Sequence, residues 1–85
     1  MSHVQQFIAV SAPPPGSVNV KFGKSIEGPG GRWVPCVMQV AEGLYCSSLF
    51  EVGPGRRQVC AANSRFNCAD EALLSAIELA STAAA

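Results

Sequence analysis

The chain has 85 residues, of which 48% are hydrophobic and 14% charged, and its six basic and six acidic side chains cancel. That hydrophobic fraction excludes a disordered chain, and zero net charge argues against a general nucleic-acid binder, which carries a basic excess. A chain this short makes one domain, which buries about 60–65% of its unfolded surface and gains from a partner, a metal or disulfides. No apolar run approaches the ~20 residues of a membrane span, and no signal-peptide pattern opens the sequence, so a soluble, cytoplasmic protein is expected.

Residues 1–3 are expected to be loose, and Val4–Val10 can form a strand. The run 11–16, with three consecutive prolines, reads as a stiff, extended connector. In Ser17–Phe22, Val18, Val20 and Phe22 alternate with Asn19 and Lys21, the pattern of a half-buried strand. Gly23–Gly31 holds four glycines and one proline and reads as a flexible loop. Gly23-Lys24-Ser25 matches the end of a phosphate-binding loop, but Val18 stands where the motif's first glycine belongs. The following Glu27-Gly28-Pro29-Gly30-Gly31 also forbids the helix that the motif requires.

Arg32–Ala62 contains three strands joined by two tight loops. Val34, Cys36, Met38 and Val40 alternate along the first strand, and Leu44, Cys46, Ser48, Phe50 and Val52 along the second. A three-residue loop, Ala41-Glu42-Gly43, sets Val40 opposite Leu44, Met38 opposite Cys46 and Val34 opposite Phe50. It also places Gly43 where a left-handed residue is wanted. At the second loop two registers stand open: Cys60 beside Ser48, or Val59 beside Phe50. Phe66 is expected to fold back onto the sheet. Asn67 is the expected N-cap of a helix from Cys68 to Ser81, with Asp70 and Glu71 at its positive end. Leu73, Ala76, Ile77 and Ala80 form its buried stripe, extended by Ala69 and Ala72; residues 83–85 are expected to fray.

Four cysteines, Cys36, Cys46, Cys60 and Cys68, occur without a Cys-x-x-Cys knuckle, and the only histidine is His3. Free, mostly buried thiols are expected, with no metal and no cofactor. His3 is poorly placed to serve a nucleophile, and the helix dipole accounts for Asp70 and Glu71, so no enzyme is expected. The β-β-β-α outline loosely resembles double-stranded RNA-binding domains, but their last helix opens with basic residues. Here that helix opens Asn67-Cys68-Ala69-Asp70-Glu71, which would repel a phosphate backbone. The same outline resembles the N-terminal half of HicB-like antitoxins, whose acidic-proline-glycine signature this chain lacks.

The expected fold is α+β: an antiparallel β-sheet of four or five strands around a central three-strand meander, with one C-terminal helix on one face. Placing the helix on the Val34–Cys36–Met38 face leaves Trp33, Val37, Tyr45 and Leu49 on the second. Either residues 4–22 cover that face, or another molecule does. With Arg56 and Arg57 at its rim, the second face is the expected binding surface for another protein or a second copy. The expected role is a small adaptor, inhibitor or dimerising module, as in phage- or mobile-element-encoded antagonists of host complexes of the anti-CRISPR type. The competing expectation is a nucleic-acid-binding module using Lys24, Arg32, Arg56 and Arg57 with aromatic stacking.

Overall fold

The computed structural model describes residues 10–53, 58–61 and 64–85. The fold is α+β. Among the described residues the strands are β1 (Val10–Ser11), β2 (Val18–Phe22), β3 (Ile26–Gly28), β4 (Gly31–Ala41), β5 (Leu44–Glu51) and β6 (Gln58–Ala61), followed by the helix α1 (Ala69–Ala84). All pairings are antiparallel, in the order β1-β6-β5-β4-β2, and β3 also pairs with β4. β2 and β3 lie end to end along the same edge of β4, so the sheet is five strands wide. The expected loop at 23–31 therefore contains a strand and a tight turn. The expected strand at Val4–Val10 falls outside the described residues except at Val10.

β4 tolerates Pro35 because of that edge. In an antiparallel ladder a residue's N–H and C=O point to the same side. The Pro35 carbonyl accepts from the Gly23 N–H at 2.9 Å, just past the end of β2. The missing proline N–H therefore faces the gap between β2 and β3, where no ladder bond is lost.

Val34 pairs with Phe50 and Met38 with Cys46, as the alternation predicts. The turn itself differs. Ala41 pairs with Leu44 and the ladder shifts by one between Gln39 and Ala41, so Val40 is the extra residue and Glu42-Gly43 the loop. Gly43 takes the left-handed conformation (φ 68°) that the turn demands. Of the two registers open at the second loop, Ser48 opposite Cys60 is the one formed, with Phe50 opposite Gln58. Phe66 folds back as expected: its N–H and carbonyl both bond Tyr45 at 2.8 Å.

The helix lies on the face opposite to the one expected. Trp33, Pro35, Val37, Ser47 and Leu49 are buried under it, and Trp33 and Leu49 pack against Ala80 and Ala84. Its buried stripe is Ala72, Ala76, Ala80 and Ala84, one small residue per turn. Small side chains bring the helix axis close to the sheet, and the Ser47 hydroxyl donates to the Ala72 carbonyl at 2.7 Å. Leu73 and Ile77 flank this stripe, half-buried. The helix begins one residue later than expected, with Cys68 as N-cap, and makes no side-chain capping bond. It also continues through Ala83 and Ala84 instead of fraying.

The β3–β4 turn holds that C-terminal end. Gly30 N–H donates to the Ala84 carbonyl at 2.8 Å, satisfying one of the helix's terminal acceptors. A Cβ on Gly28 or Gly30 would overlap the carbonyl oxygens of Ala84 and Ala83 respectively. Trp33 Nε1 donates to the Gly30 carbonyl at 3.3 Å, so the same turn anchors the indole beneath the helix.

The Cys36–Met38–Cys46 face has no helix, yet Cys36, Met38, Cys46, Ser48 and Cys60 are all buried. The sheet curls around them. Gln58 of β6 and Asn19 of β2 are three strand spacings apart, ~14 Å in a flat sheet. Here Gln58 Nε2 donates to Asn19 Oδ1 at 3.0 Å. The connector from β1 to β2 must cross between opposite edges, and Ser17 Oγ lies 4.0 Å from Met38 Sδ on this face.

Candidate functional site at the outer edge strand

β2 pairs only with β4, which leaves its outer backbone edge without a strand among the described residues. All five of its residues are exposed, including Val18 at 55%, Val20 at 44% and Phe22 at 57%. Two causes act together. The ladder with β4 shifts between Asn19 and Lys21, so Val20 is a bulge residue without a cross-strand partner in β4. Phe22 pairs with Cys36 on the curled face, at the margin of the core. Three large apolar side chains are thus exposed along one edge strand, Val18 opposite Gln39 on the helix face and Phe22 opposite Cys36 on the curled face.

The strand is held in place from both faces. On the helix side, Lys21 Nζ donates to Asp70 Oδ1, joining β2 to the first turn of α1. The hydrogen bond and field of each partner raise the Lys21 pKa and lower that of Asp70, although both side chains stay exposed. On the curled side, Asn19 accepts from Gln58 and from the Cys36 thiol at 3.0 Å each. Gln58 also donates to Ser48 Oγ at 3.0 Å, and Ser48 Oγ donates to the Cys36 carbonyl at 3.3 Å. These four polar residues run along one diagonal from β6 to β2 and latch the curled sheet. Among the described residues no buried side-chain nitrogen or oxygen lacks a partner.

The residues expected to bind a partner are dispersed. Trp33, Val37 and Leu49 are 9%, 0% and 1% exposed, because α1 occupies their face. A partner cannot reach them, so the binding surface expected there is corrected to an internal helix–sheet contact. Tyr45 is half-buried and fixed by Phe66. Arg56 and Arg57 lie outside the described residues. Lys24 is exposed between β2 and β3, and the exposed Arg32 is engaged by Glu27 at 3.1 Å. The described part of the expected basic set therefore includes one guanidinium already paired with an acid.

All four cysteines are free; Cys36, Cys46 and Cys60 are buried and Cys68 is exposed. Burial pushes the Cys36 thiol up, and burial with the neighbouring Cys46 pushes Cys60 up to about 12. These thiols stay protonated at neutral pH and are not poised as nucleophiles. Among the described residues, no three His, Cys, Asp or Glu side chains are grouped to hold a metal ion. No helix among them is long and apolar enough to cross a membrane.

The sequence signal for β2 was present in Val18, Val20 and Phe22. Alternation alone made it a half-buried strand, because it could not show that the strand is an edge or that Val20 bulges. No family model, curated protein or solved structure matches the chain.

Proposed function

We propose that this chain is a non-enzymatic protein-binding module that works through its β2 edge. The observation that carries the reading is the exposure of Val18, Val20 and Phe22 on a strand whose outer side has no strand among the described residues. An extended segment of another protein can add to such an edge, with main-chain hydrogen bonds supplying affinity and the apolar side chains specificity. Lys21 is the one charge on the strand, and Asp70 neutralises it, so little electrostatic guarding opposes the approach of a strand. Binding without catalysis is also what an inhibitor needs, and antagonism of a host complex by a phage or mobile element is the biological setting we favour for it.

The test is a paired substitution, Val18→Lys with Phe22→Glu, in the full chain. Both side chains are more than half exposed, so circular dichroism and the thermal midpoint should hold while capture of the native partner is lost. Leu74→Glu, at 66% exposure on the outer face of α1, is the control and should leave capture intact. A folded double variant that captures the same partner as the parent overturns the reading. Light scattering of the purified chain shows whether that partner is a second copy. A steep fall of affinity with salt would favour a nucleic acid instead.

A further inference from the structure

Met38, Cys46 and Cys60 form a buried cluster on the curled face, with Val40 packed against it. They come from β4, β5 and β6, and their proximity follows from register alone. Met38 sits directly opposite Cys46, and Cys60 sits opposite Ser48, one diagonal from Cys46. The Cys60 and Met38 sulfurs are 3.5 Å apart. Two sulfurs bound to one ion at ~2.3 Å each stand ~4 Å apart, so this spacing needs little adjustment to admit an ion. We propose that the thiols of Cys46 and Cys60 and the thioether of Met38 form a binding site for one Cu(I) ion.

The donor set selects the metal. Thiolate and thioether together are soft ligands that favour Cu(I). Zinc in a structural site takes four nitrogen, thiolate or carboxylate donors, and among the described residues no histidine or carboxylate is grouped with these two cysteines. Cys36 is not the third donor. Its thiol donates to Asn19, and its sulfur accepts from Gln58 at 3.6 Å, so it is held in the polar latch. Binding converts Cu⁺ and two thiols into a bis-thiolate complex of charge −1 with release of two protons, and no electron is transferred. The positive charge of Arg65 acts on Cys60 and offsets part of that charge. The three residues are nearly inaccessible, at 0–4% exposure, and the Pro14–Ser17 turn touches Met38 through Ser17.

The experiment is an anaerobic titration of the full chain with Cu(I), supplied as its acetonitrile complex, in competition with bicinchoninate. One equivalent should bind, with the ultraviolet absorption of copper–thiolate bonds and two sulfur–proton losses seen in unbuffered solution. Loss of an outer-shell partner of a metal site costs at least ~10-fold in affinity, so loss of a ligand should cost no less. Met38→Leu, which conserves volume, should show that weakening. It should also lower the sulfur neighbours seen by X-ray absorption from three to two. Cys46→Ala and Cys60→Ala should abolish the tight equivalent, and Cys68→Ser should leave it unchanged. Failure to compete with bicinchoninate overturns the proposal. So does unchanged binding in Met38→Leu, or loss of binding in Cys68→Ser. Should an alanine variant fail to fold, the Met38→Leu measurement still decides.

Discussion

Trp33 shows how one side chain can join three parts of a small fold. Its ring fills the space under Ala80 and Ala84, where the helix has no bulk of its own, and its Nε1 reaches the Gly30 carbonyl. Gly30 in turn bonds the helix end through its N–H. Removing the indole should cost about 3–5 kcal/mol, measured as a fall in the denaturant midpoint, because the rigid sheet cannot collapse into the space. Gly30→Ala tests the other half of the clamp. Its Cβ would overlap the Ala83 carbonyl oxygen, backbone that cannot swing aside, so about 1–3 kcal/mol of destabilisation is expected. Hydrogen exchange should then accelerate first in the last turn of α1.

The elements differ in how far the sequence revealed them. The β4–β5 register was readable because Val34, Cys36 and Met38 find matching partners in Phe50, Ser48 and Cys46, and because Gly43 fits the turn. Which face the helix takes was not readable from alternation, since β4 is apolar on both sides. Side-chain size carried the missing signal. An alanine stripe at every fourth position makes a thin helix face, which needs large partners such as Trp33, Pro35 and Leu49. The opposite face buries Cys36, Cys46, Ser48 and Cys60, small residues with Met38 as the one large side chain among them, which a curling sheet can enclose without a helix. The glycines of 28–31 read as looseness in sequence because their reason lies more than fifty residues away, at Ala83 and Ala84. The candidate site was legible as an apolar strand but not as an edge, since edge status is a property of the assembled sheet. Placing a charge on that edge should therefore separate folding from binding, which is the purpose of the Val18→Lys, Phe22→Glu pair.

For the molecule as a whole, the curled face couples stability to pH. Burial raises the pKa of Cys36, and burial with Cys46 raises that of Cys60 from 9.0 to about 12. In the unfolded chain these thiols ionise near 9, so above about pH 9, and up to about 12 for Cys60, the folded state holds protons that the unfolded state has released. Stability is then full below pH 9 and falls as pH rises through the folded values. Lys21, whose pKa Asp70 raises, contributes in the same direction, but at full exposure its share is screened by solvent. Thermal midpoints recorded across that window should fall steeply in the parent chain. The slope should flatten in Cys60→Ala, whatever that variant's stability at neutral pH, and hardly change in Lys21→Met. A slope that follows Lys21 rather than Cys60 would assign the effect to the surface pair and not to the curled face. If the thiols do carry it, Cu(I) bound at Cys46 and Cys60 should remove much of that alkaline loss, since metal-bound sulfurs have no proton left to release.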